Sequence, residues 1–421
     1  MNKDTECIHA GYKSGNGQPM ALPIYQSTTY TYDSTEEIGK IFDLTEDGHM
    51  YSRISNPTVE FYEKKLAALE GGVAAVLTTS GQAANFLAIF NIVGCGEHFI
   101  AASKIYGGTL NLFAVTMKRM GIECTFVDPD APDEEVQKAF RPNTKAVFGE
   151  TIANPSLAVF DIERFAAIAH RNGVPLIVDN TFPTPFLCNP FKWGADIVTH
   201  STTKYLEGHA IQIGGAVVDS GNFDWNNGKY PCLTEPDESY HGVIYTKSYG
   251  RSAYAAKLRC QLIRDFGVCP PAISTFLTDL GTQTLGLRMK AHCENALAAA
   301  KFFEKSDKIE KVIYPGLEGD EYHDLAMKYL PKGQSGVISI IFKGGREAGI
   351  RFMDSLHLAK NVVHVAAVTT MVLHPASETH RQLTDEQLVA AGVSPGLVRV
   401  SLGIENIEDI LADFENALEN V

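Results

Sequence analysis

From residue 73 onward the chain alternates short apolar or β-branched runs with longer amphipathic stretches. The runs are "VAAVLTTS", "HFIAAS", "IECTFVD", "KAVFGE", "VPLIVDN", "ADIVTHS" and "IGGAVVD". Apolar runs this short, bounded by polar or turn residues, predict strands buried on both faces. Between them, "TLNLFAVTMKRMG" and "IERFAAIAHRNG" place apolar residues at helical spacing, and Gly173 ends the second as a helix C-terminal glycine. Strands alternating with helices predict an α/β fold whose largely parallel sheet is covered on both sides. In such sheets ligands bind at the carboxyl ends of the strands. Ser80, Asp179 and Ser201 stand at those ends.

Ahead of this block, "SNPTVEFYEKKLAALEGG" predicts a helix that Pro57 starts and Gly71 and Gly72 stop. Residues 1 to about 55 show no comparable periodicity and read as an extended arm that packs on another surface. Beyond about residue 275, "LRMKAHCENALAAAKFFEKS" predicts a long helix, "GVISIIF" and "GLVRVSLG" predict strands, and "NIEDILADFENALENV" predicts a closing helix. Ile407, Ile410, Leu411, Phe414 and Leu418 share one face of that last helix. The expected division is an arm over 1–57, a large domain over 58–275 and a smaller α/β domain over 276–421.

Composition narrows the class. A chain of 421 residues with 45% hydrophobic content can bury a large core in more than one domain. The net charge of −14, without a basic block, argues against nucleic acid and anionic membranes as partners. "MNKDTECIHAGYKSGNG" lacks an apolar signal core and no apolar run reaches spanning length, so a cytoplasmic protein is expected. Eight cysteines without CxxC spacing predict reduced packing thiols, and no metal site is expected.

Lys204, in "HSTTKYLEG", follows one strand end, and Asp179 closes the strand before it. A buried aspartate needs a partner, so it either caps a helix or holds a cation. Together the two fit pyridoxal 5'-phosphate: an amine for the aldehyde carbon and a carboxylate that keeps the pyridinium nitrogen protonated. In "TTSGQAANFLAIF", Ser80 opens a Ser-Gly turn into a helix, which offers the free amides of Gly81 and Gln82 to an anion. An ordinary helix cap is the alternative. Ser201 and Thr203 add hydroxyl donors. Tyr106 offers a ring to stack on the cofactor, or is a turn tyrosine. Asn154 offers a hydrogen bond to the cofactor's phenolic oxygen, or belongs to an Asn-Pro turn.

Taken in order, "YSRISNPT", "SGQAANFL", "YGGT", "ANP", "VDNTF", "HSTTKY", "HPAS-TH" (interrupted by Glu378) and "LVRVSLGIENIEDI" resemble the transsulfuration, or Cys/Met-metabolism, family of pyridoxal phosphate enzymes over nearly the whole chain. The resemblance implies fold type I, the aspartate aminotransferase-like fold, in a homotetramer of two tight dimers with active sites at the dimer interface. It implies that Lys204 bonds the cofactor, that Asp179 partners the pyridinium nitrogen, and that Asn154 partners the phenolate. Tyr106 then stacks on the ring and joins Lys204 as a catalytic group. Ser80, Gly81, Gln82, Ser201 and Thr203 serve the phosphate. Tyr51 and Arg53 reach the neighbouring subunit's phosphate, Tyr51 also touches substrate, and Arg399 clamps the substrate carboxylate.

Two departures refine the implied activity. The Ser-Leu-Gly that lyases and synthases of the family often show near His364 to Ala366 is missing, which points away from the cystathionine enzymes. Residues 222–245 resemble an insertion of O-acetylhomoserine sulfhydrylases, and the aromatic residues there are expected to exclude water from the site. The implied reaction is replacement of acetate in O-acetyl-L-homoserine by sulfide or a small thiol, giving L-homocysteine for methionine biosynthesis. Methionine γ-lyase, a cystathionine γ-synthase or lyase, and a non-catalytic scaffold of the same fold are the alternatives.

Overall fold

The computed structural model describes residues 1–379, 381, 384 and 394–421. All seven runs of the first block form strands of one sheet: β1 (Ala74–Thr78), β2 (His98–Ala102), β3 (Glu123–Val127), β4 (Thr144–Glu150), β5 (Leu176–Asp179), β6 (Ile197–His200) and β7 (Gly215–Asp219). Their order across the sheet is β1-β7-β6-β5-β4-β2-β3. Strands β2 to β6 pair in parallel, while β7 runs antiparallel between β1 and β6. The register sets Glu150 beside Asp179 and Asp179 beside Thr199, and pairs Thr78 with Gly215. The ends of the six strands β1 to β6 and the start of β7 therefore meet on one edge. Gly215 has to be a glycine there, because a Cβ would collide with the Ser80 carbonyl as the chain leaves β1.

The arm is more structured than its lack of periodicity suggests. It contains two short helices, α1 (Lys3–His9) and α2 (Thr35–Phe42). Asn2 accepts from the Asp4 amide, and Ser34 accepts from the Glu36 and Glu37 amides. Local capping starts both helices, and α2 adds a short apolar stripe of Ile38, Ile41 and Phe42 at helical spacing. Cys7 anchors α1 in the core. All eight cysteines are free thiols.

Helix α3 (Pro57–Glu70) has Pro57 at its first turn and a left-handed Gly71 at its end, as expected, and Asn56 caps it through the Thr58 amide. It is buried despite its charges because each is met: Glu63 by Arg259 at 2.6 Å and Lys65 by Asp279 at 2.5 Å. At its last residue, Glu70 accepts from His200 Nε2 at 2.7 Å, Asn180 Nδ2 at 3.0 Å and Asn189 Nδ2 at 3.1 Å. This network ties the ends of β5 and β6 to the helix beneath them. Helix α4 (Gly81–Phe90) follows β1 directly. The stretch expected as one amphipathic helix over 109–121 is instead a short helix Gly107–Asn111, a π-turn Leu112–Thr116 and a 3-10 turn Met117–Met120. The widened turn seats Phe113 edge-on between Phe99 and Phe148, at 4.9 and 5.0 Å.

A second sheet has the order β10-β11-β12-β9-β8. It comprises β8 (Ile309–Ile313), β9 (Val337–Phe342), β10 (Lys360–Asn361), β11 (Met371–Leu373) and β12 (Leu397–Ser401). The Leu285–Phe303 helix joins the two cores: Leu285, Met289 and Cys293 belong to the first, Ala296, Ala299, Ala300 and Phe303 to the second. The closing helix, Ile407–Leu418, buries Ile410, Phe414 and Leu418, with Phe303 5.1 Å from Phe414. Among the described residues no helix is long and apolar enough to cross a membrane. His380 of the "HPAS-TH" motif lies outside the described residues.

The insertion at 222–245 corrects one expectation. Phe223, Trp225 and Tyr230 pack together, Trp225 stacks on Tyr254 at 5.3 Å, and Tyr230 donates to the Lys145 carbonyl beside the start of β4. These rings cover the amino ends of the strands, the edge away from Lys204, so they close the core rather than exclude water from the site. The later part turns back: Tyr240 donates to the Cys260 carbonyl and lies under Arg264.

Folding also fixes a histidine in the neutral state. His98 in β2 lies buried between the Thr125 and Thr144 hydroxyls, each 2.8 Å away. Burial first, and Arg141 second, push its pKa down to about 4. A depressed histidine stabilises the fold above its unfolded value near 6.5, and that contribution is lost as pH falls toward about 4, at about 1.4 kcal/mol per pH unit. The stability gap between the wild type and His98→Gln, read from denaturation midpoints, should therefore narrow over that window. A gap independent of pH would show that His98 does not titrate with unfolding.

Candidate active site

The site forms where the strand ends meet. Asp179, last residue of β5, accepts from Asn85 Nδ2 at 3.0 Å on one oxygen, and from the Thr181 amide (3.0 Å) and hydroxyl (2.5 Å) on the other. Three donors and burial fix its carboxylate firmly. Asn85 is itself held by the Thr199 hydroxyl at 2.6 Å and donates to Thr109 at 3.2 Å, whose hydroxyl reaches Gln82 Oε1 at 3.0 Å. Glu150, beside Asp179 in register, accepts from the Tyr106 amide at 2.6 Å. Burial, reinforced by the Asp179 charge, raises its pKa well above the usual carboxyl range. Glu150 thus stands between Asp179 and the Tyr106 turn. The Tyr106 ring is half exposed.

The anion cradle is built by the start of α4. Ser80 caps the helix through the Ala83 amide, and the Ala84 amide goes to the Ser80 carbonyl. The amides of Gly81 and Gln82 stay outside the helical ladder, turned to the positive end of the dipole. A Cβ on Gly81 would stand 2.6 Å from the Ser201 Cβ, so only glycine lets these two turns approach. The Ser201 amide donates to the Thr181 hydroxyl at 2.8 Å, linking the cradle to Asp179. Thr203 is engaged differently from its neighbour: its hydroxyl donates to the Gly214 carbonyl at 3.1 Å and accepts from the Gly214 amide at 3.0 Å.

Lys204 sits on the turn after β6, mostly buried. Its Nζ is 3.3 Å from His364 Nδ1. Burial first, then the Arg399 charge, lower its pKa to about 8. Arg399 on β12 is buried, with Nη1 donating to Asn154 Oδ1 at 3.2 Å, Nη2 to the His364 carbonyl at 2.7 Å, and Nε buried without a partner. No carboxylate lies within ion-pairing distance of it among the described residues. Burial pulls its pKa down to about 10. A buried guanidinium with free N–H groups beside a buried amine is a receptor for an anionic oxygen pair.

The structure thus brings together Lys204, Asp179, Gly81, Ser201, Asn154, Tyr106 and Arg399, with Asn154 tied to Arg399 rather than standing free. It does not bring Tyr51 and Arg53 to this Lys204. They line a separate groove of about 330 Å³ with Tyr25, Thr28, Cys269 and Pro270, and Arg53 donates to the Arg264 carbonyl of its own chain. The sequence reading missed Asn85, Glu150, Thr181 and His364. Asn85 alone left a signal, a polar residue one turn after Gly81 in an otherwise apolar helix.

An amine, a fixed carboxylate on the neighbouring strand and a cradle that a Cβ would fill fit a phosphorylated pyridine aldehyde. Comparison with known proteins agrees. The family model for Cys/Met metabolism PLP-dependent enzymes matches residues 4–419. The chain is 44% identical to an O-acetyl-L-homoserine sulfhydrylase of Leptospira meyeri, over 99% of this chain and 97% of the relative. It is 45% identical to a homocysteine synthase of Schizosaccharomyces pombe, over 99% and 98%. Among solved structures, a Campylobacter jejuni chain described as an O-acetylhomoserine (thiol)-lyase, with a pyridoxyl-lysine phosphate, superposes with a TM-score of 0.95 at 35% identity and full coverage of both chains. The chain therefore belongs to the Cys/Met metabolism family of PLP-dependent enzymes.

Proposed function

We propose that this enzyme is an O-acetyl-L-homoserine sulfhydrylase. The observation that carries the reading is the buried, carboxylate-free Arg399 in the same site as Lys204, in a chain whose full-length relatives bear that name. Arg399 binds the substrate's α-carboxylate, using N–H groups that Asn154 and His364 leave free. Lys204 Nζ, lowered to about 8, takes the proton from the substrate's Cα and returns it. Asp179 keeps the pyridinium nitrogen protonated, Tyr106 covers the ring, and Ser80, Gly81, Gln82 and Ser201 hold the phosphate, with Thr203 steadying the turn through Gly214. The bound cofactor supplies an electron sink for the substrate carbon. Overall the ester's Cγ–O bond breaks, acetate leaves as the anion, and a Cγ–S bond forms to hydrosulfide, whose proton stays on sulfur as the product thiol.

The arm over 1–57 completes a neighbouring subunit's site in this reading, through Tyr51 and Arg53, in a homotetramer built as a dimer of dimers. Their place in a separate groove, away from the residues around their own Lys204, supports it. Two cores joined by the Leu285–Phe303 helix support a large domain over 58–275 and a small one over 276–421. Eight free thiols agree with a cytoplasmic setting. The choice of leaving group is tested by initial rates with sulfide on the acetyl, succinyl and phosphoryl esters of homoserine. The acetyl ester should be consumed fastest by about tenfold or more, because a neutral acyl group needs no second cation in the site. A faster succinyl or phosphoryl ester would replace the acetyl assignment.

A further inference from the structure

His364 stands where the family's serine is missing, and the chain holds it there at a conformational cost. Two residues on, Ala366 adopts a left-handed φ of 68°, which a Cβ disfavours. The Ala366 amide is tied to the Ser401 hydroxyl at 2.8 Å, and the Val368 amide to the Gly208 carbonyl at 2.8 Å, on the Lys204 turn itself. The His364 carbonyl takes the Arg399 Nη2 hydrogen bond, so the same residue touches both cations of the site. Its Nε2 is buried and has no partner.

The direction of the Lys204–His364 contact follows from charge. Below pH 8 Lys204 is chiefly an ammonium, which only donates, so Nδ1 accepts and the ring proton sits on Nε2. The ring stays neutral, because burial, then Lys204, then Arg399, push its pKa down to about 4. Lys204 and Arg399 are the charged groups that act on it; beyond Arg399 stand Tyr106, Glu378 and Tyr205.

We propose that His364 is a positioning residue for Lys204: its unprotonated Nδ1 accepts a hydrogen bond from Nζ and fixes the direction of the amine whenever that amine is free. The inference rests on the role given to Lys204 above, but the contact itself is measured without turnover. A packing residue at 364 would be served equally by leucine, which has no acceptor, and by asparagine, whose amide oxygen replaces Nδ1.

The test compares wild type, His364→Leu and His364→Asn. In the full-length chain freed of cofactor, trace acylation of Lys204 is followed against pH by peptide mass spectrometry. The wild-type midpoint should lie near 8. A buried ammonium that loses its acceptor is less stable, so the leucine variant should titrate about one pH unit lower, with asparagine close to wild type. In the holoenzyme, leucine should lower kcat about tenfold with little change in KM, and asparagine should restore most of it. Three identical midpoints, or leucine and asparagine failing alike, overturn the proposal. If the leucine variant does not fold, alanine takes its place in the same comparison. Midpoints shifted as expected with kcat unchanged in the leucine variant would indict the role of Lys204 rather than the contact.

Discussion

Replacing Lys204 with alanine is expected to lower turnover about a thousandfold or more, since a positioned acid–base group alone contributes on the order of 10²–10⁴ and its covalent role is lost as well. The same change should remove the visible absorption that the lysine-bonded cofactor gives the pure protein, while the phosphate cradle at Gly81 and Ser201 still retains cofactor. Stability should change little or rise, because a mostly buried ammonium, with only His364 as a partner among the described residues, is removed. A Lys204→Ala protein that keeps its colour and wild-type activity would remove Lys204 from the reaction.

Arg399→Lys is expected to weaken substrate binding strongly and to leave the cofactor's absorption in place. The guanidinium already engages Asn154 Oδ1 and the His364 carbonyl, and these two bonds aim its remaining N–H groups. Lysine cannot make the two internal bonds and also present a fork to a carboxylate. Loss of one bond to a charged group costs about 1.5–3 kcal/mol, so KM should rise roughly ten- to hundredfold, with a smaller effect on kcat. Burial favours this outcome, since water cannot stand in for the missing donors. Saturation by O-acetylhomoserine unchanged in Arg399→Lys would place the substrate's carboxylate elsewhere.

The sheet was legible because its strands are apolar on both faces, and an apolar run bounded by turns has one reading in an α/β chain. The strand ends then pointed to Lys204, Asp179, Ser80 and Gly81 without any knowledge of contacts. What escaped has physical causes. Helix α1 rests on the local cap Asn2, and α2 on the cap Ser34 with a stripe of only three apolar residues, too short to stand out in the sequence. The π-turn at 112–116 exists to seat Phe113 between residues of two strands, which no local pattern announces. Glu150 and Asn85 matter through register and burial: one lies across a strand pair from Asp179, the other 94 residues away in sequence on α4. His364 lies in a stretch with no regular structure, and it meets Lys204 only because β12 and the Lys204 turn are brought together. The aromatic insertion misled for a related reason, since rings that close a core edge and rings that shield a site look alike in sequence.

The central claim is that the enzyme replaces a γ-substituent with sulfide rather than merely eliminating it. Elimination and replacement share the early proton transfers proposed for Lys204, so neither the lysine nor the arginine variant separates them. The direct measurement is the partition of O-acetylhomoserine between L-homocysteine and 2-oxobutanoate, taken with and without sulfide. With sulfide present, homocysteine should account for nearly all the acetate released, and without it acetate release should fall sharply. Steady formation of 2-oxobutanoate and ammonia whether or not sulfide is added, or rapid 2-oxobutanoate from methionine itself, would contradict the account and make the enzyme a γ-lyase.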